Sequence, residues 1–207
     1  HAAVRSQKLS PALKAKHHMG KRRQIARCPH RSPRGNCRRQ PRVQQAGAEA
    51  IIRCIPPLST EHSSRHAIIS MTELSQCDAL AFGSPVRFGN MVADAKAFWD
   101  STTSLWLKGD LIDKPAGVFT SSGSMHGGNE TTLISMSLPL LHHGMLLTGI
   151  PYSEPELHQT QSGGTPYGPS HVSGHHGDNK LSVDEQRLAI AFGKRLATLA
   201  QQLKQHR

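Results

Sequence analysis

Aromatic side chains are scarce in this chain, at 4% of residues, with two tryptophans and two tyrosines. No apolar run approaches the ~20 residues of a membrane-crossing helix, so a membrane partner is not expected. The first residues carry no apolar stretch of the kind a secretion signal needs. No two of the four cysteines, Cys28, Cys37, Cys54 and Cys77, stand at CxxC spacing. That argues against a disulfide scaffold and for a reducing compartment, the cytoplasm. The sharpest absence is of acid. Residues 1–42 hold 13 of the 25 Lys and Arg and none of the 14 Asp and Glu. From residue 43 onward the count is 12 basic against 14 acidic, a net of −2. The formal charge of +11 therefore belongs to one segment. The chain divides into a basic part, residues 1–42, of a composition that is ordinarily disordered, and a near-neutral domain, residues 43–207, long enough for one core.

Within the domain, "GAEAIIRCIPP" reads as a strand through Ile51, Ile52 and Ile55, stopped by two prolines. Residues 58–72 are polar and unpatterned and read as a loop. "CDALAFGSP" fits a strand buried on both faces. "MVADAKAFWDSTTSLW" puts Val92, Ala95, Phe98 and Trp99 on one helical stripe. "PAGVFTSSGS" is a strand running into a Gly/Ser loop. Asn129 is a candidate N-cap for a helix that bends or ends near Pro139. "GMLLTGIPY" reads as a further strand and residues 152–180 as a long loop. Ser182 and Glu185 form a capping box for a last helix with Leu188, Phe192, Leu196, Leu199 and Leu203 on one stripe. Strand, loop and helix repeated at this length predict a parallel α/β sheet. Ligands then belong at the carboxyl ends of the strands, where the order reverses.

Two strand ends carry unusual loops. "SPVRFGNM", residues 84–91, offers a ring face at Phe88, a planar cation at Arg87 and a donor and acceptor at Asn90. Its Gly89 lets backbone approach a flat ligand. The same residues also suit a plain strand-to-helix turn. "TSSGSMHGGNE", residues 120–130, supplies hydroxyls, glycines and backbone N–H groups ahead of a helix, which can cradle a phosphate or a ring edge. His142 and His143 stand at a helix end, with or without a ligand. Tyr167 sits within the glycine/proline turn "GGTPYGPSH". His171, His175, His176 and Asp178 match no closed metal site.

In combination, "GSPVRFGNM", "LW", "KPAGVFTSSGSMHGGNETT", "LLHHGM", "PYSEPEL" and "GGTPYGPSH", in this order, resemble the WrbA family. The resemblance covers roughly residues 43–203. It implies a flavodoxin-like fold, a doubly wound parallel sheet of order 2-1-3-4-5, that binds FMN and acts as an NAD(P)H:quinone oxidoreductase. It implies that Pro85, Val86, Arg87, Phe88, Gly89 and Asn90 wrap the isoalloxazine, Val86 replacing the family's usual Thr. Ser121, Ser122, Gly123, Ser124, Met125, His126 and Gly127 would hold its other edge, and His142 would reach it. Trp106 would lie over the quinone pocket, often across the interface of a homotetramer. The implied reaction is ping-pong, with hydride passing from NAD(P)H to FMN and then to a quinone, and with no catalytic side chain required.

The family opens with a strand and a phosphate loop, and neither is visible before Ile51. The first strand and the loop are thus expected to be missing or altered. Residues before about Gln40 fit a displaced reading frame. One base of shift from His30 lets codons allowed for "HRSPRGNCR" spell "TGRHGATA", which is similar to the family's phosphate loop. The alternatives are a catalytically silent flavodoxin-like module, or a basic arm that binds nucleic acid electrostatically. The arm lacks any aromatic to stack on bases, which makes nucleic acid the less favoured partner.

Overall fold

The structure is a computed structural model that describes residues 23–26, 50–58 and 66–205. Its strands are β1 (Arg23–Ala26), β2 (Ala50–Ile52), β3 (Cys77–Pro85), β4 (Pro115–Ser122), β5 (Leu146–Leu147) and β6 (Ser170–Val172). Its helices are α1 (Met71–Ser75), α2 (Ala93–Asp100), α3 (Thr103–Lys108), α4 (Asn129–His142), α5 (Glu156–Gln159) and α6 (Val183–Lys204). The strands lie in the order β2-β1-β3-β4-β5, all parallel. This is the doubly wound 2-1-3-4-5 order expected from the sequence.

The expectation of a missing or altered first strand resolves to the second. The sequence shows no apolar run before Ile51, yet β1 takes an inner place in the sheet, between β2 and β3. Ile25 pairs with Ile51 on one side and Leu80 on the other. A ladder is made by main-chain groups and can form where the side-chain pattern is uninformative. The register between β1 and β3 is interrupted once, between Arg23 and Ile25. The strand is altered, not missing. The stretch that would carry the phosphate loop, with its displaced reading from His30, lies outside the described residues.

β3 and β4 are buried along their whole lengths and form the centre of two apolar layers. On one face Leu80, Phe82, Ala116 and Val118 pack against α2, α3 and α4 through Phe98, Trp99, Leu105, Leu133, Met136 and Leu140. On the other, Ala79, Ala81 and Phe119 pack against Leu188, Phe192 and Leu196 of α6. Two glycines make room for aromatic rings on this face. A Cβ at Gly83 would lie 2.2 Å from the Phe119 ring, and one at Gly117 would lie 2.5 Å from the Phe192 ring. The Phe119 ring of β4 thus rests on bare backbone of β3, and the Phe192 ring of α6 on bare backbone of β4.

Several boundaries differ from the sequence reading for local reasons. Of the loop expected over residues 58–72, residues 59–65 lie outside the described residues, and its end is taken by α1, which Ser70 and Glu73 open with a full capping box. The single helix expected after Met91 breaks into α2 and α3, where the Thr102 hydroxyl donates to the Trp99 carbonyl at 2.6 Å. Gly128, not Asn129, caps α4, and Pro139 sits inside that helix without ending it.

The expected strand at "GMLLTGIPY" is real for Leu146–Leu147 alone. The chain then leaves the sheet, forms α5, and returns as β6 on β4, opposite Thr120, Ser121 and Ser122. The long loop is thus an excursion inside the fifth strand position. What brings it back is one buried carboxylate. Glu185, 1% exposed, accepts from Ser162 Oγ at 2.8 Å and from the N–H groups of Gly163 at 2.9 Å, Val172 at 3.0 Å and Ser182 at 2.8 Å. The Nδ1 of His171, equally buried, donates to it at 2.9 Å. Burial alone would raise this carboxyl. The hydrogen bonds from His171, Val172, Ser182 and Ser162 override that and hold it down, at about 2. At its other end α6 is tied to the start of β3 by Lys204 and Asp78, 3.0 Å apart.

Removing the carboxylate leaves five donors turned toward a buried gap. Glu185→Ala should cost about 3–5 kcal/mol in chemical denaturation, and Glu185→Gln, which keeps an acceptor, distinctly less. The folded carboxyl lies below its ordinary value of 4.5, so its stabilisation is present above that pH and lost as pH falls toward about 2. An acid titration of far-ultraviolet circular dichroism should show that loss, and the Gln variant should lack it.

Candidate functional site

A parallel sheet delivers the carboxyl ends of its strands to one edge. β3 and β4 run paired up to Pro85 and Ser121, so the loops that follow leave side by side. They are joined at once. Val86 N–H donates to the Ser121 carbonyl at 2.9 Å, and Thr120 Oγ1 donates to the Ser84 carbonyl at 2.8 Å. Ser84 Oγ also accepts from Val92 N–H at 3.0 Å, supplying the cap that α2 otherwise lacks.

The first loop is a two-residue turn. Arg87 and Asn90 exchange main-chain hydrogen bonds of 2.7 and 3.0 Å, while Phe88 and Gly89 take φ of +50° and +75°. Two successive positive φ angles define a type I′ turn, which favours Asn and Gly. A bulky aromatic there is held at a cost of about 1–3 kcal/mol. The result is a Phe88 ring wholly exposed beside an exposed Arg87. Asn90 locks the turn, its Oδ1 accepting from Met91 N–H at 2.8 Å and from Ser135 Oγ on α4 at 2.9 Å.

The second loop begins with Ser121 and Ser122, both buried, and then comes to the surface at Ser124, Met125 and His126. Ser122 Oγ donates to the Ser124 carbonyl at 2.7 Å, and Gly127 N–H to the same carbonyl at 3.2 Å. Ser173, just past β6, reinforces the base: its N–H and Oγ both donate to the Ser122 carbonyl, at 2.7 and 2.9 Å. Among the described residues the N–H groups of Ser124, Met125 and His126 find no acceptor. The two loops meet backbone to backbone. Gly128 has φ +91°, and a Cβ on it would lie 2.8 Å from Gly89 Cα. An exposed ring, a cation and a row of free amides on one strand edge suit the rim of a planar, hydrogen-bonding heteroaromatic such as the isoalloxazine. The fit is good for that part of FMN. The phosphate end would fall on residues outside those described.

The sequence-selected residues thus form two groups. Pro85 to Asn90 and Ser121 to Gly127 converge. His142 and Trp106 do not join them. They stand at the far end of α4, a 14-residue helix about 20 Å long, and meet each other there. The indole N–H of Trp106 donates to the His142 carbonyl at 2.9 Å. Both side chains are exposed. His171 turns inward to Glu185, and the rings of His175 and His176 contact each other 5.0 Å apart. Sequence reading missed Ser84, Gly128, Ser135 and Ser173 as supports of the loops. Gly128 was open to notice, as a glycine directly before a helix. The other three owe their roles to contacts distant in sequence.

Residues 55–151 match the model of the family described as NADPH-dependent FMN reductase. A NAD(P)H dehydrogenase (quinone) from Chromohalobacter salexigens is 46% identical over 132 residues, 63% of this chain and 66% of that protein's length. A protein of the same name from Geotalea daltonii is 38% identical over 172 residues, 76% of this chain and 84% of its own. A solved structure, the flavodoxin, WrbA-like protein from Agrobacterium tumefaciens, is 24% identical, with a TM-score of 0.53 over 76% of this chain and 83% of that one. That structure supports the fold, and the relative matched over most of its length supports the kinship. The chain belongs to the WrbA-like NAD(P)H dehydrogenase (quinone) family.

Proposed function

We propose that this chain is an FMN-dependent oxidoreductase that passes reducing equivalents from NAD(P)H to quinones. The observation that carries the reading is the meeting of the two strand-end loops through Gly89 and Gly128 in a chain whose relatives are named for that activity. FMN, when bound, supplies the hydride chemistry, accepting from the nicotinamide and donating to the quinone. The chain supplies orientation and electrostatics. Phe88 and Pro85 offer apolar contact to a flat ring, and Arg87 a positive charge at its rim. Gly89 and Asn90 complete the turn. Val86 offers only its backbone, having no hydroxyl. Ser121, Ser122, Gly123, Ser124, Met125, His126 and Gly127 form the opposing wall, whose free N–H groups would stabilise negative charge on a ring edge. No nucleophile or general base is required of the protein.

His142 and Trp106 enter this scheme only from another copy, because they sit at the wrong end of α4 for their own loops. The surface around them suits a self-association. Ile134, Leu138 and Leu141 form an exposed stripe on α4, and Trp106 and Leu107 on α3 are exposed as well. A homotetramer that covers this stripe and brings Trp106 to a neighbour's quinone site is the assembly we favour. No helix among the described residues is long and apolar enough to cross a membrane. With the cysteine spacing, we place the protein in the cytoplasm.

An FMN titration of the full chain should quench flavin fluorescence. The loaded protein should then oxidise NAD(P)H only when a quinone is present. Flavin binding without quinone-dependent oxidation would leave a silent module. Gly128→Ala should weaken FMN binding about tenfold or more, near 1.4 kcal/mol, because its Cβ pushes the two loops apart. Trp106→Ala should raise the KM for quinone while leaving the rate of FMN reduction by NAD(P)H unchanged in stopped-flow absorbance.

A further inference from the structure

The corner where α3 meets the end of α4 holds a buried imidazole that the proposed reaction does not use. His143 is 8% exposed, and its Nε2 lies 2.8 Å from Thr102 Oγ1. The Thr102 hydroxyl spends its one proton on the Trp99 carbonyl, at 2.6 Å. It must therefore accept from Nε2–H, and that fixes the neutral tautomer with a bare Nδ1. Nδ1 is buried and has no partner, and neither has the indole N–H of Trp99. The two rings are in contact, centroids 5.4 Å apart. Protonating Nδ1 would bury a charge and add a second unmatched donor beside the first. Burial, and then the neighbouring His142, hold the imidazole below its ordinary value.

This imidazole also holds a structure. Thr102 is the N-cap of α3, its main-chain carbonyl accepting from the N–H groups of Leu105 and Trp106 at 2.9 and 3.1 Å. His143 thus staples the first turn of α3 to the end of α4. The bond from Trp106 to the His142 carbonyl staples the next turn to the same place. The groups that touch or act on His143 are Trp99 and Thr102 from the α2–α3 junction and His142 from α4. Among the described residues His142 is the only one whose charge registers there.

We propose that His143 is a positioning residue for Trp106, and that its protonation releases the α3–α4 corner that presents Trp106 and His142. The consequence for turnover rests on the reading of Trp106 as a quinone-facing residue. The corner itself does not rest on it. Acid would then weaken the quinone half of the reaction and spare the NAD(P)H half.

The two tryptophans of the chain both lie at this corner, so each can be read alone. In the full chain carrying W106F, emission reports Trp99. It should fall through a transition below the ordinary histidine value of about 6.5, since an imidazolium quenches an indole in contact with it. In the chain carrying W99F, Trp106 emission should shift to the red over the same range as its bond to His142 is lost. Adding His143→Gln, which can donate to Thr102 and cannot titrate, should flatten both curves. The wild-type KM for quinone should rise severalfold through the same transition, while FMN reduction by NAD(P)H stays level. Thr102→Val should raise that KM at every pH, and Thr102→Ser should restore it. Transitions that persist in His143→Gln overturn the proposal, as does a Trp99 transition without a Trp106 shift. Both shifts with a level quinone KM uphold the corner and count against Trp106 as the quinone-facing residue.

Discussion

The buried carboxylate of Glu185 is the contact on which the site edge depends. The fifth strand position is filled twice, by β5 at the start of β4 and by β6 at its end, with a 22-residue excursion between. Loop closure alone would let the returning chain meet β4 in many registers. Glu185 removes that freedom because one side chain binds the start of the return at Ser162 and Gly163, its strand at His171 and Val172, and the cap of its own helix at Ser182. The strand so fixed sets Ser173 against Ser122, and Ser122 in turn closes the turn at Ser124. The wall of the candidate site is thus registered from the opposite face of the sheet, through main-chain bonds.

A second constraint is the direction of α4. A helix that starts at the carboxyl edge of a parallel sheet must run back to the amino edge. Residues at its two ends cannot serve one site within one copy. The helix opens at Gly128, packed on Gly89, and ends at His142, bonded to Trp106. Both ends carry features that a lone domain has no use for. A strained turn exposes Phe88 at one, and an apolar stripe is exposed toward the other. Strain and exposed apolar surface persist where something else is gained, and both are features that the homotetramer proposed above would use.

Legibility in the sequence followed the range of the forces involved. β3, β4 and α6 are readable because short apolar runs inside two fully buried strands and a Leu/Phe stripe depend on burial alone. The turn at Phe88 was readable as a site from its composition, but its left-handed backbone was not, since Phe at positive φ contradicts local preference. β1 was unreadable because "RQIA" carries no pattern, and the ladders to β2 and β3 place it. The excursion before β6 looked like one loop because its organiser, Glu185, lies 14 residues beyond His171. From the sequence, Glu185 reads only as the local capping partner of Ser182.

The two buried titratable groups that matter, Glu185 and His143, act in different pH ranges and on different parts. Hydrogen bonds hold Glu185 ionised against its burial, whereas burial itself disfavours the charged form of His143. Glu185 is charged and surrounded by donors, so acid must reach well below the ordinary carboxylate range before it is lost. His143 is neutral with an empty Nδ1, so the folded state resists its protonation. Its contribution is intact above the ordinary histidine value and declines as pH falls below it. On the proposal above, acid acts on the α3–α4 corner from the ordinary histidine value downward, and on the β6 register from the ordinary carboxylate value downward.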